Sequence, residues 1–101
     1  MANTFKNYTG QATTAGTAVY TVPASTTAVV IGLNLANTSI ASKNVSVQLG
    51  STYIIKDAPI PSGSALSALD GKIILEAAEV ITVTGDTNND VDIILSVLEQ
   101  S

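Results

Sequence analysis

The chain has no cysteine, no histidine, no arginine and no tryptophan. Without cysteine there is no disulfide framework, no thiolate nucleophile and no soft metal ligand, so packing alone must hold the fold and nothing points to an oxidising compartment. Without histidine the usual general base near neutral pH is missing, and without arginine the bidentate clamp for phosphate or carboxylate is missing. Cations are confined to Lys6, Lys43, Lys56 and Lys72 against eight carboxylates, a formal charge of -4, too little to neutralise a nucleic-acid backbone. Charged residues make up 12% of the chain, about half the roughly 25% of an ordinary soluble domain.

Long apolar runs are also missing. The longest, Ala28 to Leu35, is interrupted by Gly32 and Asn34 and falls short of the roughly 20 residues a spanning helix needs, so no membrane role is expected. The first residues, Met1 to Tyr8, carry no basic region followed by an apolar run and do not read as a signal peptide.

What is present is a chain of 101 residues, 46% of them apolar, with Thr, Ser, Asn and Gly supplying most of the remainder. That length suits one core. A neutral hydroxyl and amide surface can lie against another protein without desolvating many charges.

Periodicity sets the class, because alternate residues of a strand point to opposite faces. Val29, Ile31, Leu33 and Leu35 alternate with the smaller Ala28, Val30, Gly32, Asn34 and Ala36, and Val45, Val47 and Leu49 alternate with the polar Asn44, Ser46 and Gln48. Further β-rich runs are Thr17 to Val22, Tyr53 to Lys56, Lys72 to Glu76, Val80 to Thr84 and Val91 to Glu99, punctuated by Pro23, Pro59, Pro61, Gly and Asn. Seven or eight short strands at this spacing predict an all-β, single-domain β-sandwich, of which the jelly roll is one arrangement. The sole helical candidate is Ser64 to Leu69, with a short turn or edge strand the favoured alternative. Residues 1–16, ending in the polar stretch Gln11 to Gly16, are expected as an N-terminal arm or edge segment, and residues 17–101 as the sandwich.

No constellation carries catalysis. Glu76 and Glu79 flank an expected tight turn, and minimal loops leave little chain to build a pocket for a small-molecule substrate. Asp86-Thr-Asn-Asn-Asp-Val-Asp92 opens like a calcium loop, but Val91 stands where the sharp turn needs Gly and Val97 where a bidentate Glu should close the shell. A polar hairpin turn is the better reading and weak calcium binding the minor one. Gly63 and Gly71 match no phosphate loop. A non-enzymatic chain without cofactor or metal is expected. Phe5, Tyr8, Tyr20 and Tyr53 are too few for a sugar shelf, which counts against a carbohydrate-binding module; they read as core or interface packing.

The last strand has two apolar faces: Val91, Ile93, Leu95 and Val97 on one, with Ile94 and Leu98 on the other. One can fill the core, and the second requires cover from another subunit or from the chain's own termini. Homo-oligomerisation is the favoured expectation. The candidate contact residues are Phe5 and Tyr8 of the N-terminal segment and Val30, Ile94 and Leu98 on the strand backs.

Four stretches carry a resemblance: Val19 to Thr38 (VYTVPASTTAVVIGLNLANT), Ile55 to Leu66 (IKDAPIPSGSAL), Gly71 to Val83 (GKIILEAAEVITV) and Leu95 to Glu99 (LSVLE). Together they resemble small tailed-phage virion proteins, especially those of cyanophages and marine phages, over nearly the whole chain. Ala78 departs from the Leu-Glu-Ala-Gly-Asp/Glu turn of such proteins, where Gly would accept a positive φ. The resemblance implies a virion structural protein, most like a capsid cement or decoration protein. Such proteins are small, β-rich, commonly trimeric and seated on the capsid surface where major capsid protein subunits meet. A tail, baseplate or neck component is the alternative. The shared motifs are structural, so they support the family more firmly than a position in the virion.

Overall fold

A computed structural model describes residues 3–68 and 72–100. Nine strands follow one another: β1 (Asn3–Gln11), β2 (Thr17–Thr21), β3 (Thr27–Asn37), β4 (Lys43–Leu49), β5 (Thr52–Ile60), β6 (Ala65–Ser67), β7 (Ile73–Leu75), β8 (Val80–Gly85) and β9 (Val91–Gln100). There is no helix among the described residues. Two antiparallel sheets face each other. One has five strands in the order β1-β9-β3-β6, with β7 also paired to β3; the other has the order β2-β8-β4-β5. This is the all-β sandwich that the period-two patterns demand.

The two strands beyond the seven apolar runs come from segments whose pattern is weak. β1 is polar at most positions and pairs with β9 from Asn3↔Gln100 to Gln11↔Asp92, so the first segment is laid down as an edge strand. The stretch after it is anchored as well: Ala12 is fully buried and its N–H donates to the Val91 carbonyl at 2.9 Å, while Gly85 donates to the Thr13 carbonyl at 3.0 Å. β6 lies in the helical candidate Ser64 to Leu69, where Ala65–Ser67 pairs with β3 instead. Leu69 falls outside the described residues.

The core is aliphatic. Val91, Ile93, Leu95 and Val97 of β9 meet Val45, Val47, Ile81 and Val83 of the opposite sheet, all at most 2% exposed. Each such side chain contributes about 1.5–3 kcal/mol by leaving water.

β3 departs from simple alternation. A bulge between Val30 and Gly32 inserts one extra residue opposite β9, which shifts the inward phase from Ala28 and Val30 to Leu33, Leu35 and Asn37. Val30 therefore lines the core at 1% exposed rather than a strand back, and Ile31 is turned out to solvent. At the β7–β8 turn Ala78 takes φ 70°, so the chain keeps the left-handed geometry with a residue that has a Cβ.

Candidate interaction face

Antiparallel partners share a face, so the registers give the outer surface of the five-stranded sheet row by row. One row runs Phe5 on β1, Leu98 on β9, Val29 on β3 and Ile74 on β7, apolar across four strands. Phe5 is 73% exposed and Ile74 65%, with Leu98 and Val29 half-buried between them. The bulge adds Ile31 beside this row, and Ile94 lies further along the sheet beside Thr9 and Asn34. The outer face of the four-stranded sheet is different in kind: Ser46 pairs Thr84 and Gln48 pairs Thr82. On the five-stranded sheet the other outward rows are mostly polar, Asn3/Gln100/Thr27, Asn7/Ser96/Gly32 and Gln11/Asp92/Ala36, so its apolar surface is the one row with Ile31 beside it and Ile94 apart.

This outer face of the five-stranded sheet carries little charge. Its one ionised group on these strands is Asp92, which accepts a hydrogen bond from Gln11 Nε2 at 3.0 Å. Between Phe5 and Ile31 the face dips into a groove of about 660 Å³, also lined by Asn7 and Ser96. Gly32, paired with Ser96, borders it, and a Cβ built there would meet nothing within 4 Å. Ser96, a small side chain between Phe5 and Ile31, leaves the groove open.

The five residues expected at contacts separate. Phe5, Ile94 and Leu98 lie on this face; Tyr8 points the other way and Val30 is in the core. Tyr8 belongs to a polar cluster at the sandwich margin. Its ring stacks at 4.7 Å from that of Tyr20, and both hydroxyls donate to Glu99 Oε2, at 3.2 Å from Tyr8 and 2.5 Å from Tyr20. Lys6 Nζ reaches Glu99 Oε1 at 3.3 Å. The Tyr20 hydrogen bond holds the Glu99 carboxyl below its ordinary range against the opposing effect of burial, with Lys6 helping. Burial raises the pKa of both tyrosines, and Glu99 raises it further. Lys6 pointed inward from an edge strand also discourages indiscriminate strand addition there.

Sequence reasoning missed Val29, Ile31 and Ile74. Ile73-Ile74-Leu75 did carry a signal, since three successive apolar residues in a strand must send one of them outward. It also missed Ile40, 99% exposed in the β3–β4 loop. In the loop from Asp86 to Asp90, three side-chain oxygens already accept hydrogen bonds: Thr87 Oγ1 donates to Asp90 Oδ2 at 2.6 Å, Asn88 Oδ1 accepts from Thr14 N at 2.8 Å, and Asp86 Oδ2 accepts from Asn44 N at 3.1 Å. Thr87, with Lys43 beside it at 3.5 Å, keeps the Asp90 carboxyl below its usual range. No group of three or more metal-ligating side chains occurs among the described residues.

No protein-family model matches the chain, and no curated protein does. Solved structures share its fold. A chain of the disulfide-linked pili that form Bacillus endospore appendages superposes with a TM-score of 0.59 at 12% identity, covering 99% of this chain and 87% of its own. A chain from the acid-stable capsid of the Helicobacter pylori bacteriophage KHP30 gives 0.60 at 11% identity, covering 98% of this chain and 87% of its own. At such identities the likeness is one of fold.

Proposed function

We propose that this chain is a structural, non-enzymatic component of a tailed-phage virion of the cyanophage type. In this reading it is a capsid cement protein that assembles as a homotrimer and binds the major capsid protein at the capsid surface. The observation that carries the reading is the exposed apolar row Phe5, Leu98, Val29 and Ile74, with Ile31 beside it, on the outer face of the five-stranded sheet. Contiguous exposed apolar patches commonly mark protein–protein contacts. Support comes from the fold shared with a chain of a phage capsid. A cement needs no chemistry: several modest contacts on one particle add through multivalency and hold the shell against internal pressure.

The test is to mix the purified protein with undecorated capsids and, in parallel, with tails, and to locate added density by cryo-electron microscopy. Density at regular lattice positions on the capsid is expected. Density at the tail or neck alone would replace this reading by a tail component, for which the fold shared with a pilus chain is the supporting observation. Density on neither would overturn both.

A further inference from the structure

Apart from Tyr53, whose ring has Lys56 Nζ over it at 5.1 Å, two apolar features remain exposed among the described residues: the row on the outer face of the five-stranded sheet with Ile31 and Ile94 near it, and Ile40. We propose that they are the two halves of one contact, in which Ile40 of each copy seats in the groove between Phe5 and Ile31 of the next copy. This inference rests on the homo-oligomeric part of the function proposed above and names the surfaces that build the oligomer.

Ile40 is not a loose side chain. The loop that carries it is tied from both ends by the buried Asn37, whose Nδ2 donates to the Ala41 and Ile60 carbonyls, each at 2.8 Å. Asn37 Oδ1 accepts from the Ser39 N–H at 2.9 Å and the Ser39 hydroxyl at 2.8 Å. Ser62 Oγ donates to the Ser39 carbonyl at 2.7 Å, and Thr38 N to the Asp90 carbonyl at 2.8 Å. An isoleucine at 99% exposure gains nothing for the fold, yet the backbone beneath it is fixed by six hydrogen bonds. Holding an anchor in place before binding removes the ordering entropy from the association step, which is where preorganised contacts gain affinity.

The occupant is a second copy for two reasons. Within one chain the halves cannot meet, because the strand from Ile31 to Asn37 already spans about 20 Å at ~3.3 Å per residue. Neither half carries an unpaired charge: the loop reads Thr38-Ser-Ile-Ala-Ser42, and of the residues lining the groove only Lys6 is ionised, its ammonium turned away to Glu99 at 3.3 Å, so a negatively charged chain can meet itself there without juxtaposing like charges. A loop on one surface meeting a groove on another is a heterologous contact, which closes into a ring when the rotation permits.

The test uses the chain's lack of cysteine. Oxidising Ile40→Cys/Ile31→Cys should give cross-linked species at multiples of the chain mass, ending at three if the ring closes, while each single variant stays at one. In sedimentation, Ile40→Asp should weaken self-association at least tenfold with an unchanged melting temperature. Ser96→Phe, which puts a bulky side chain at a position lining the groove, should do the same. Cross-linking by Ile40→Cys alone would signal a two-fold loop contact and overturn the proposal. So would wild-type self-association of Ile40→Asp, or a wild-type chain that sediments as a monomer at high concentration. If Ile40→Asp loses capsid binding while self-association persists, the anchor serves a capsid subunit and the second-copy contact is wrong. Intact self-association with no capsid binding would sink the cement reading alone.

Discussion

The Tyr20 hydroxyl donates to Glu99 at 2.5 Å, tying β2 of one sheet to β9 of the other across the margin of the sandwich. Glu99 continues the inward row Val91, Ile93, Leu95 and Val97, so the last strand ends by placing a carboxylate where a fifth aliphatic side chain would have been expected. It is tolerated there because Tyr8, Tyr20 and Lys6 all turn toward it.

Removing one of these partners leaves the carboxylate short of donors in a site with little water. Tyr20→Phe should therefore destabilise by about 1.5–3 kcal/mol, the range for a hydrogen bond to a charged group. Tyr8→Phe, with the longer bond at 3.2 Å on a more exposed ring, should cost less. Urea midpoints of the two variants rank them; an equal loss, or none for Tyr20→Phe, contradicts the geometry.

The same cluster sets a pH window. Glu99 titrates below its ordinary value near 4.5, so its contribution to stability is complete above that value and is lost as pH falls through the lowered, folded-state value. Tyr8 and Tyr20 titrate above 10, so their contribution is complete below pH 10 and is lost as pH rises beyond it. The melting temperature should be flat between about pH 5 and 9 and decline on both sides. Glu99→Gln should lower the plateau and flatten the acid decline. An acid limb as steep as wild type in that variant would assign the effect to other carboxylates.

How far the fold was legible follows from where its pattern is strong. β4, β8 and β9 repeat with period two and bury the faces that the pattern selects, because each packs one side on the core and turns the other outward. β1 was obscure because an edge strand exposed on both faces carries no apolar period, and β6 because three residues are too few to show one. The β3 bulge is invisible to alternation: Val29, Val30 and Ile31 are all β-branched and fit either face, and only pairing with β9 decides which way each turns. The apolar row on the outer face was half legible for the same reason. Leu98 and Ile94 stand out within one strand, whereas Val29 and Ile74 join them only through the register.

Ala78 gives a stabilising prediction. At φ 70° its Cβ strains the turn, in which Glu79 N donates to the Glu76 carbonyl at 3.1 Å and Glu76 N to the Glu79 side chain at 2.7 Å. Ala78→Gly relieves a left-handed cost of about 1–2 kcal/mol and gives part of it back through a freer unfolded chain. A net gain of about 0.5–1 kcal/mol, several degrees in melting temperature for a domain of this size, is expected. A fall in Tm would mean that the turn's hydrogen bonds, not its φ, limit it.

Core and face should respond oppositely to truncation. Leu95 is fully buried, and Leu95→Ala should cost about 2–5 kcal/mol through lost burial and the cavity left behind. Phe5→Ser and Ile74→Ser, at positions 73% and 65% exposed, should change the stability of the isolated chain by less than ~0.5 kcal/mol. Losses above 1 kcal/mol at Phe5 or Ile74 in dilute solution would mean that the chain itself needs this face covered in order to fold.

Asn37 joins the fold to the presented loop, and its loss should be felt in both. It is 2% exposed and uses both ends of its amide, so Asn37→Ala removes a donor from the Ile60 carbonyl beside a buried side chain and frees the Ser39 turn. Orphaning buried polar groups costs about 1–3 kcal/mol each, and a loss of about 2–3 kcal/mol is expected, read from the urea midpoint. Local order should fail before the fold does. Protease cleavage within residues 38–42 should accelerate under conditions where β9 amides remain protected from hydrogen exchange, because the loop then opens without global unfolding. Self-association should weaken too, although Ile40 is untouched, since the anchor would have to be ordered at the moment of contact. Wild-type association by a destabilised Asn37→Ala chain would separate loop rigidity from binding and leave Asn37 a purely internal role.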